Sequence, residues 1–316
     1  MTCTGSFPKN PELTELKYRV QKGFQQPAEL DRKERMATEN WLRKQDKWNL
    51  DVVVDGEMNR GDFIGYFANR IEGFEPGGLV RCYGNRYYQK PVIKSKLQWK
   101  EPLIVNDWRG FQRTTNKPLK AILTGPYTLF DWSYNEFYSD RESGVRDLTE
   151  IIKKEIVSLL DVGARIIQID EPALSSRPAE FSLISDSLKE ITAGTRAYFI
   201  LHHCYGDVVP IWSKMQRLPV DQFSLEATNS QFSILSLLKK VPSPKDLSIG
   251  VVESHQHNVE TPPDISRRIR KVMKSVPPRQ LWFSPDCGLK TRRFDEAERK
   301  MHALSLAIKK VRTSLS

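Results

Sequence analysis

The sequence predicts an α/β protein, built as a single (β/α)8 barrel over residues 1–316. Short apolar segments rich in β-branched and aromatic residues recur eight times, as buried strands require. Charged stretches with helical spacing separate most of them, and strands that alternate with helices indicate a parallel sheet. Most of these segments end in an unusual polar residue. A doubly wound sheet is the alternative fold, but eight units in one chain of this length favour a closed barrel.

The predicted strands follow one another at roughly even intervals, with one exception. They lie at residues 2–7, 51–57, 120–126, 165–172, 198–204, 222–228, 247–254 and 281–288. A helix is predicted over 146–164, where the apolar spacing ends at Gly163, and another over 264–276. Residues 58–119 form a long insertion between the second and third strands, with a hairpin expected within 82–99. Connections of this length are usually functional or act as lids.

Polar side chains occur at or just after the C-terminal ends of most predicted strands. The residues concerned are Ser6, Glu57, Asp170, Cys204, Glu226, His255 and Cys287. In a barrel these strand ends surround one opening, so residues distant in sequence meet there. The pattern therefore predicts a functional site at that end.

Composition limits the class of protein. No apolar run is long enough to span a membrane, and residues 1–10 lack the features of a signal peptide, so we expect a cytoplasmic protein with no membrane partner. Four scattered cysteines do not form a disulfide scaffold. The net charge of +10 indicates either solvated helix faces or an acidic protein partner. Because the basic residues are spread over predicted helices, we do not expect nucleic acid as the main partner.

A candidate metal site begins with His202 and Cys204. Alternate side chains of a strand share one side, so these two point the same way and His203 points away. Together with Glu226 and Cys287, at the ends of other strands, they form a suitable ligand set for Zn²⁺. A hydrogen-bonded core histidine, buried apolar cysteines and a glutamate in a salt bridge are the alternative interpretation.

Ten sequence segments, in this order, resemble the C-terminal catalytic barrel of the cobalamin-independent methionine synthase family over nearly the whole chain. They are TGSFP (4–8), DGE (55–57), GNRY (84–87), LTGP (123–126), DWS (131–133), IIQIDEPAL (166–174), HHCY (202–205), SLEATNS (224–230), ESHQHNV (253–259) and SPDCGLKTR (284–292). The segments at 166–174 and 284–292 are highly specific to that family.

The resemblance implies a role for each matching residue. His202, Cys204, Glu226 and Cys287 match the zinc ligands; Thr4, Gly5, Ser6, Glu57 and Asp170 match the homocysteine site; Arg86, Tyr87 and Trp132 match the donor site. His255 matches a histidine proposed as an acid in methyl transfer, although a purely hydrogen-bonding role is also open. For Asp170 the alternative is a helix N-cap before Pro172.

The resemblance implies a methyltransferase that makes methionine from zinc-bound homocysteine. Two departures lead us to expect methylcobalamin or an acidic, methylated corrinoid protein as the donor. One is the expected absence of a second, N-terminal barrel, and the other is Ser176, where the family has a folate-contacting glutamate. A folate donor remains an alternative. Transfer to another thiol such as coenzyme M is a further alternative, but coenzyme M has no ammonium group to pair with Glu57 and Asp170.

Overall fold

The computed structural model describes residues 1–81 and 87–315. Its helices are α1 (Pro11–Gln21), α2 (Pro27–Lys47), α3 (Gly65–Ala68), α4 (Val105–Gln112), α5 (Pro126–Asp131), α6 (Arg141–Asp161), α7 (Phe181–Thr192), α8 (Trp212–Met215), α9 (Ile234–Lys240), α10 (Pro262–Met273) and α11 (Phe294–Thr313). Its strands are β1 (Glu72–Glu75), β2 (Leu79–Arg81), β3 (Tyr87–Gln89), β4 (Val92–Gln98), β5 (Ala121–Thr124), β6 (Tyr134–Asn135), β7 (Ile166–Asp170), β8 (Tyr198–His203), β9 (Gln222–Leu225), β10 (Asp246–Val252) and β11 (Leu281–Pro285).

A six-stranded parallel sheet forms the centre of the fold, in the order β11-β10-β9-β8-β7-β5. Helices α6 and α7 connect successive parallel strands, as parallel pairing requires. The predicted α/β class, with strands alternating with helices, is therefore confirmed. The register pairs Asp170 with His202, and His202 with Ser224, so the C-terminal ends of β7, β8 and β9 lie side by side.

The first two predicted strands, at 2–7 and 51–57, are not regular strands, and that part of the prediction is wrong. Both segments still run between β11 and β5 through single backbone hydrogen bonds. The N–H of Thr2 donates to the carbonyl of Phe283 (3.2 Å), and the N–H of Asp51 donates to that of Met1 (3.0 Å). Val53 forms an isolated parallel bridge with Leu119. Glu57 has a left-handed backbone conformation (φ 58°), so the second segment departs from an extended strand at that residue.

Residues 58–119 carry strands of their own. β1 pairs antiparallel with β4, and β2 pairs antiparallel with β3 in the region where a hairpin was predicted. Glu155, a fully buried residue of α6, accepts hydrogen bonds from the N–H groups of Leu103 (2.7 Å) and Ile104 (2.8 Å) and from the indole of Trp99 (3.2 Å). These bonds fix the end of the segment against the central domain.

Both predicted helices are present, but α6 begins five residues and α10 two residues earlier than predicted, and each ends three residues earlier. α6 begins after Asp140, whose carboxylate accepts from the N–H of Ser143 (2.7 Å) as an N-cap. α10 begins after Thr261, which caps it in the same way. Within residues 1–81 and 87–315, no helix combines the length and the apolar character needed to cross a membrane.

Candidate metal centre and substrate cleft

One cleft lies at the C-terminal ends of the central strands and collects most of the predicted site residues. The predicted residues that line it are Thr4, Gly5, Ser6, Glu57, Tyr87, Trp132, Asp170, His202, Cys204 and Cys287. The cleft encloses about 760 Å³ of empty space, part of it open to solvent. Residues separated by up to 283 positions in the sequence therefore meet at one place.

Three of the four predicted zinc ligands lie together. One ligand atom from each of His202, Cys204 and Cys287 lies within 4.8 Å of the others, and the two sulfur atoms are 3.8 Å apart. Among the described residues, no other set of histidine, cysteine and acidic side chains is grouped this closely with three members. Two thiols and an imidazole in this arrangement match the donors that Zn²⁺ prefers.

The hydrogen bonds of His202 fit a role as a metal ligand. Its Nδ1 lies 3.2 Å from the carbonyl oxygen and 3.2 Å from the hydroxyl of Ser224. Because a carbonyl can only accept, Nδ1 carries the proton, and Nε2 keeps its lone pair for a metal. Partners of this kind fix the tautomer and orientation of ligating histidines.

The electrostatics of the sulfur pair also fit a cation. The pKa of the Cys204 thiol is raised well above its usual range, first by the hydrogen bond with Cys287 and then by burial. Two adjacent thiols in a buried site resist ionisation unless a positive charge compensates them. A bound Zn²⁺ would supply that charge, because coordinated thiols lose their protons.

Glu226, the fourth predicted ligand, lies outside the group of three. Its Oε2 is buried and has no hydrogen-bond partner among the described residues. Burial, followed by the charge of Asp286, raises the pKa of Glu226 to about 7. The negative charge of Glu226 also contributes to the raised pKa of Cys204, so the two groups interact. The carboxylate is therefore a neighbour of the three ligands, with one oxygen available.

Two residues that the sequence did not single out hold the turns around the metal centre. The buried carboxylate of Asp286 accepts from the N–H groups of Ala227 (2.9 Å), Thr228 (3.1 Å) and Asn229 (3.1 Å), directly after Glu226. The hydroxyl of Ser254 accepts from the N–H of Cys287 (2.9 Å) and donates to its carbonyl (3.0 Å). The sequence signals for them were their positions beside the predicted residues His255 and Cys287, within the family-like segments 253–259 and 284–292.

Close packing brings the predicted homocysteine residues together. A side chain at Gly5 would approach Oε1 of Glu57 to 2.7 Å, and one at Gly288 would approach the hydroxyl of Ser6 to 2.1 Å. Both glycines are therefore required by the close approach of these polar groups. Glu57 itself is buried at the cleft wall in a left-handed conformation.

Asp170 faces the cleft, and its neighbour Glu171 takes the capping role. Glu171 accepts from the N–H groups of Tyr127 (3.2 Å) and Thr128 (2.9 Å) at the start of α5. Asp170 accepts instead from the amide of Gln168 (2.7 Å). Burial raises the pKa of Asp170 to about 6, although the charge of His202 opposes this shift.

His255, the predicted acid, does not line the cleft. It is half-buried behind Tyr205, whose hydroxyl lies 3.2 Å from Nδ1 of His255. Tyr205 does line the cleft and adopts a left-handed conformation (φ 62°) directly after Cys204. The histidine is thus linked to the cleft through a phenol.

An aromatic wall borders the cleft on the side predicted to bind the donor. The ring of Trp132 lies 5.2 Å from that of Phe63 and 5.4 Å from that of Tyr88. All three rings line the cleft, as does Tyr87, which is largely exposed. The sequence identified Trp132 and Tyr87 but not Phe63 or Tyr88. Arg86, also predicted at the donor site, lies outside the described residues.

Comparisons with known proteins agree on one family. Residues 1–310 match the family model described as "Cobalamin-independent synthase, Catalytic domain". The chain is 37% identical to a methionine synthase of Pyrococcus furiosus over 314 residues, which are 98% of this chain and 92% of that protein. It is 38% identical to one of Saccharolobus solfataricus over 272 residues, which are 85% and 81% of the two chains.

Solved structures with the same fold include a B12-independent methionine synthase from Shewanella sp. W3-18-1 in complex with selenomethionine. Its TM-score is 0.87 at 24% identity, covering 100% of this chain and 98% of that one. A putative vitamin-B12-independent methionine synthase from Listeria monocytogenes has a TM-score of 0.77 at 21% identity, covering 97% and 96%.

These comparisons overturn the predicted methyl donor. The matching family model is that of a cobalamin-independent synthase, so methylcobalamin or a methylated corrinoid as donor is wrong. The acidic corrinoid protein predicted as a partner is wrong for the same reason. Ser176, which suggested the corrinoid, is not among the residues that line the cleft.

Proposed function

Because the chain belongs to the cobalamin-independent methionine synthase family, matching its catalytic domain over residues 1–310, we propose that it methylates the sulfur of homocysteine to form methionine. The observation that carries this proposal is the position of the grouped His202, Cys204 and Cys287 in the same cleft as Glu57 and Asp170. A site for a thiolate thus adjoins a site for an ammonium group.

In this proposal His202, Cys204 and Cys287 would hold a zinc ion, and Glu226 would be a fourth, exchangeable ligand. The unpartnered Oε2 of Glu226 supports this role. Zinc lowers the pKa of a bound thiol and so keeps the substrate sulfur as a nucleophilic thiolate. Ser224, Ser254 and Asp286 orient the ligands through hydrogen bonds.

Glu57 and Asp170 would bind the α-ammonium group of homocysteine, and the segment Thr4-Gly5-Ser6 would bind its carboxylate. Two carboxylates at the cleft wall, Glu57 buried and Asp170 half-buried, suit an amino-acid thiol when they lie beside a thiolate site. Coenzyme M, the alternative thiol acceptor, offers them no cation. The charge at the cleft wall thus supports an amino-acid thiol as the substrate.

For the donor we propose methyltetrahydrofolate, whose flat ring suits the wall of Phe63, Tyr88 and Trp132. Tyr87, which also lines the cleft, would contact the rest of that molecule. As the S–C bond forms, the bond from the methyl carbon to the folate nitrogen breaks, and the electron pair stays on that nitrogen. The nitrogen then needs a proton, which His255 would supply through the Tyr205 hydroxyl.

We further propose that residues 1–316 form one closed barrel of the (β/α)8 type, in which the irregular segments 2–7 and 51–57 take the places of the first two strands. Residues 58–119 are inserted after the second of these segments. The backbone hydrogen bonds from Thr2 to Phe283, from Asp51 to Met1 and from Lys120 to Val53 support closure between β11 and β5. Closure explains why residues near the N-terminus share a cleft with Cys287.

The direct test is methionine formation by the zinc-loaded protein. Homocysteine is supplied with mono- or polyglutamylated methyltetrahydrofolate, and coenzyme M replaces homocysteine in a parallel reaction. We expect methionine from homocysteine, little methylated coenzyme M and no product from the Cys204→Ser variant. Methylated coenzyme M as the preferred product, or no product with either folate, would contradict the proposal.

A further inference from the structure

A buried polar chain lies beneath the cleft, and none of the roles described above uses it. Lys120, just before β5, is a lysine only 3% exposed. Its Nζ donates to Oε1 of Gln168 (2.5 Å) and to the carbonyl oxygen of Cys3 (2.8 Å). A fully buried lysine is rare and requires compensating acceptors, so its position needs an explanation.

Gln168 continues the chain to the cleft wall. Its Nε2 donates to Oδ1 of Asp170 (2.7 Å) and to the carbonyl oxygen of Thr4 (3.0 Å). Gln168 and Asp170 are two residues apart on β7 and therefore lie on the same side of the strand. Through Gln168, the lysine reaches the carboxylate that faces the cleft.

The hydrogen bonds that run from Lys120 through Gln168 to Asp170 each have a defined direction. An ammonium group can only donate, so Oε1 of Gln168 must face Lys120. The amide N–H groups are then directed at Asp170 and Thr4, both of which offer only acceptors at these atoms. Lys120 thus fixes the orientation of the amide, and the amide fixes the carboxylate.

The proposed amino-acid site has two parts, the carboxylate-binding segment Thr4-Gly5-Ser6 and the ammonium-binding residue Asp170. Both parts depend on these bonds. Lys120 and Gln168 bind successive carbonyl groups, those of Cys3 and Thr4, in the segment that leads to Ser6. The same amide nitrogen of Gln168 also binds Asp170 at the cleft wall. The positive charge of Lys120 also interacts with both carboxylates of the cleft wall, Asp170 and Glu57.

We propose that Lys120 and Gln168 are positioning residues that set the specificity of the cleft for an α-amino acid. This inference rests on the proposed function, because it assigns the ammonium group of the thiol substrate to Asp170. It predicts that the pair determines how strongly the protein prefers L-homocysteine to 4-mercaptobutanoate, the same thiol acid without its amino group.

Calorimetric binding of these two thiols to the zinc-loaded protein tests the inference without requiring turnover. The variants are Lys120→Met and Gln168→Asn; the latter is one methylene too short to reach both neighbours. The matched control is Lys300→Met, since Lys300 is also fully buried and ion-paired, to Glu260 at 2.9 Å, and does not line the cleft. Zinc content and circular dichroism establish that each variant is folded.

We expect Lys120→Met and Gln168→Asn to bind homocysteine about tenfold or more weakly, the size expected when a hydrogen bond to a charged group is lost. Their affinity for 4-mercaptobutanoate should fall less than their affinity for homocysteine, so that the preference for homocysteine narrows. Their zinc content should be unchanged, and Lys300→Met should keep the wild-type preference. If both variants retain that preference, the inference is wrong and the proposed function stands. If the wild-type protein itself shows no preference, the amino-acid substrate and the inference fail together. Should Lys120→Met not fold, Gln168→Asn decides the outcome alone.

Discussion

Replacing Ser254 with alanine should weaken zinc binding without removing a ligand. The Ser254 hydroxyl satisfies both the N–H and the carbonyl of Cys287, at 2.9 and 3.0 Å, and its residue is fully buried. Alanine leaves these two backbone groups without that partner. Because water has little access, the loss should cost about 1–3 kcal/mol of unfolding free energy.

The same change should lower zinc affinity by about 10–100-fold, the usual effect of removing a group that orients a metal ligand. Competition with a chromogenic chelator measures the affinity, and urea denaturation of the zinc-loaded protein measures stability. Ser187→Ala is the matched control, because the Ser187 hydroxyl is also buried, 2.7 Å from that of Thr149, but away from the cleft. If both variants bind zinc as tightly as the wild type, Ser254 does not position Cys287.

Three further predictions concern the substrates and pH. Asp170→Asn should raise the KM for homocysteine by about tenfold or more, because the hydrogen bond to the ammonium group loses its charge, and the KM for the folate should not change. Equal effects on the two KM values would contradict the assignment of Asp170 to the ammonium group. Trp132→Ala should raise the KM for the folate about two- to tenfold through the loss of an aromatic contact, whereas the KM of Trp132→Phe should stay close to the wild-type value. An unchanged folate KM in the alanine variant would exclude stacking at this position. Burial lowers the pKa of Lys120 from 10.5 to about 8, so the unfolded chain binds more protons between these values, and stability rises with pH. Between pH 8 and 10.5 the unfolding free energy of the wild type should rise by about 3 kcal/mol relative to that of Lys120→Met. A difference between the two proteins that does not change with pH would refute the lowered pKa of Lys120.

The sequence predicted the positions where strand alternation determines the side-chain direction. His203 points away from His202, as expected, and its ring contacts the carbonyl of Glu171 (3.1 Å) and the hydroxyl of Ser175 (3.2 Å). Six of the eight predicted strands form the central sheet because they are buried, β-rich and regular. The segments at 2–7 and 51–57 have the same composition, but only isolated hydrogen bonds join them to the sheet.

Residues whose role depends on tertiary neighbours could not be found this way. A lysine such as Lys120 is normally exposed, and nothing in its local sequence indicates burial. Phe63 and Tyr88 are ordinary core aromatics until the fold brings them beside Trp132. Asp170 and Glu171 are adjacent acids with opposite tasks, and only the position of α5 determines which of them caps a helix.

The central claim, that the substrate sulfur joins a metal held by His202, Cys204 and Cys287, can be measured directly by X-ray absorption at the zinc edge. In this account Cys204 and Cys287 would supply two sulfur ligands to the resting metal. Addition of L-homocysteine should raise the sulfur count by one and remove one oxygen or nitrogen ligand, that of Glu226. The Cys287→Ser variant, if it retains zinc, should show one sulfur fewer in both states. A sulfur count that does not change when homocysteine is added would contradict the account.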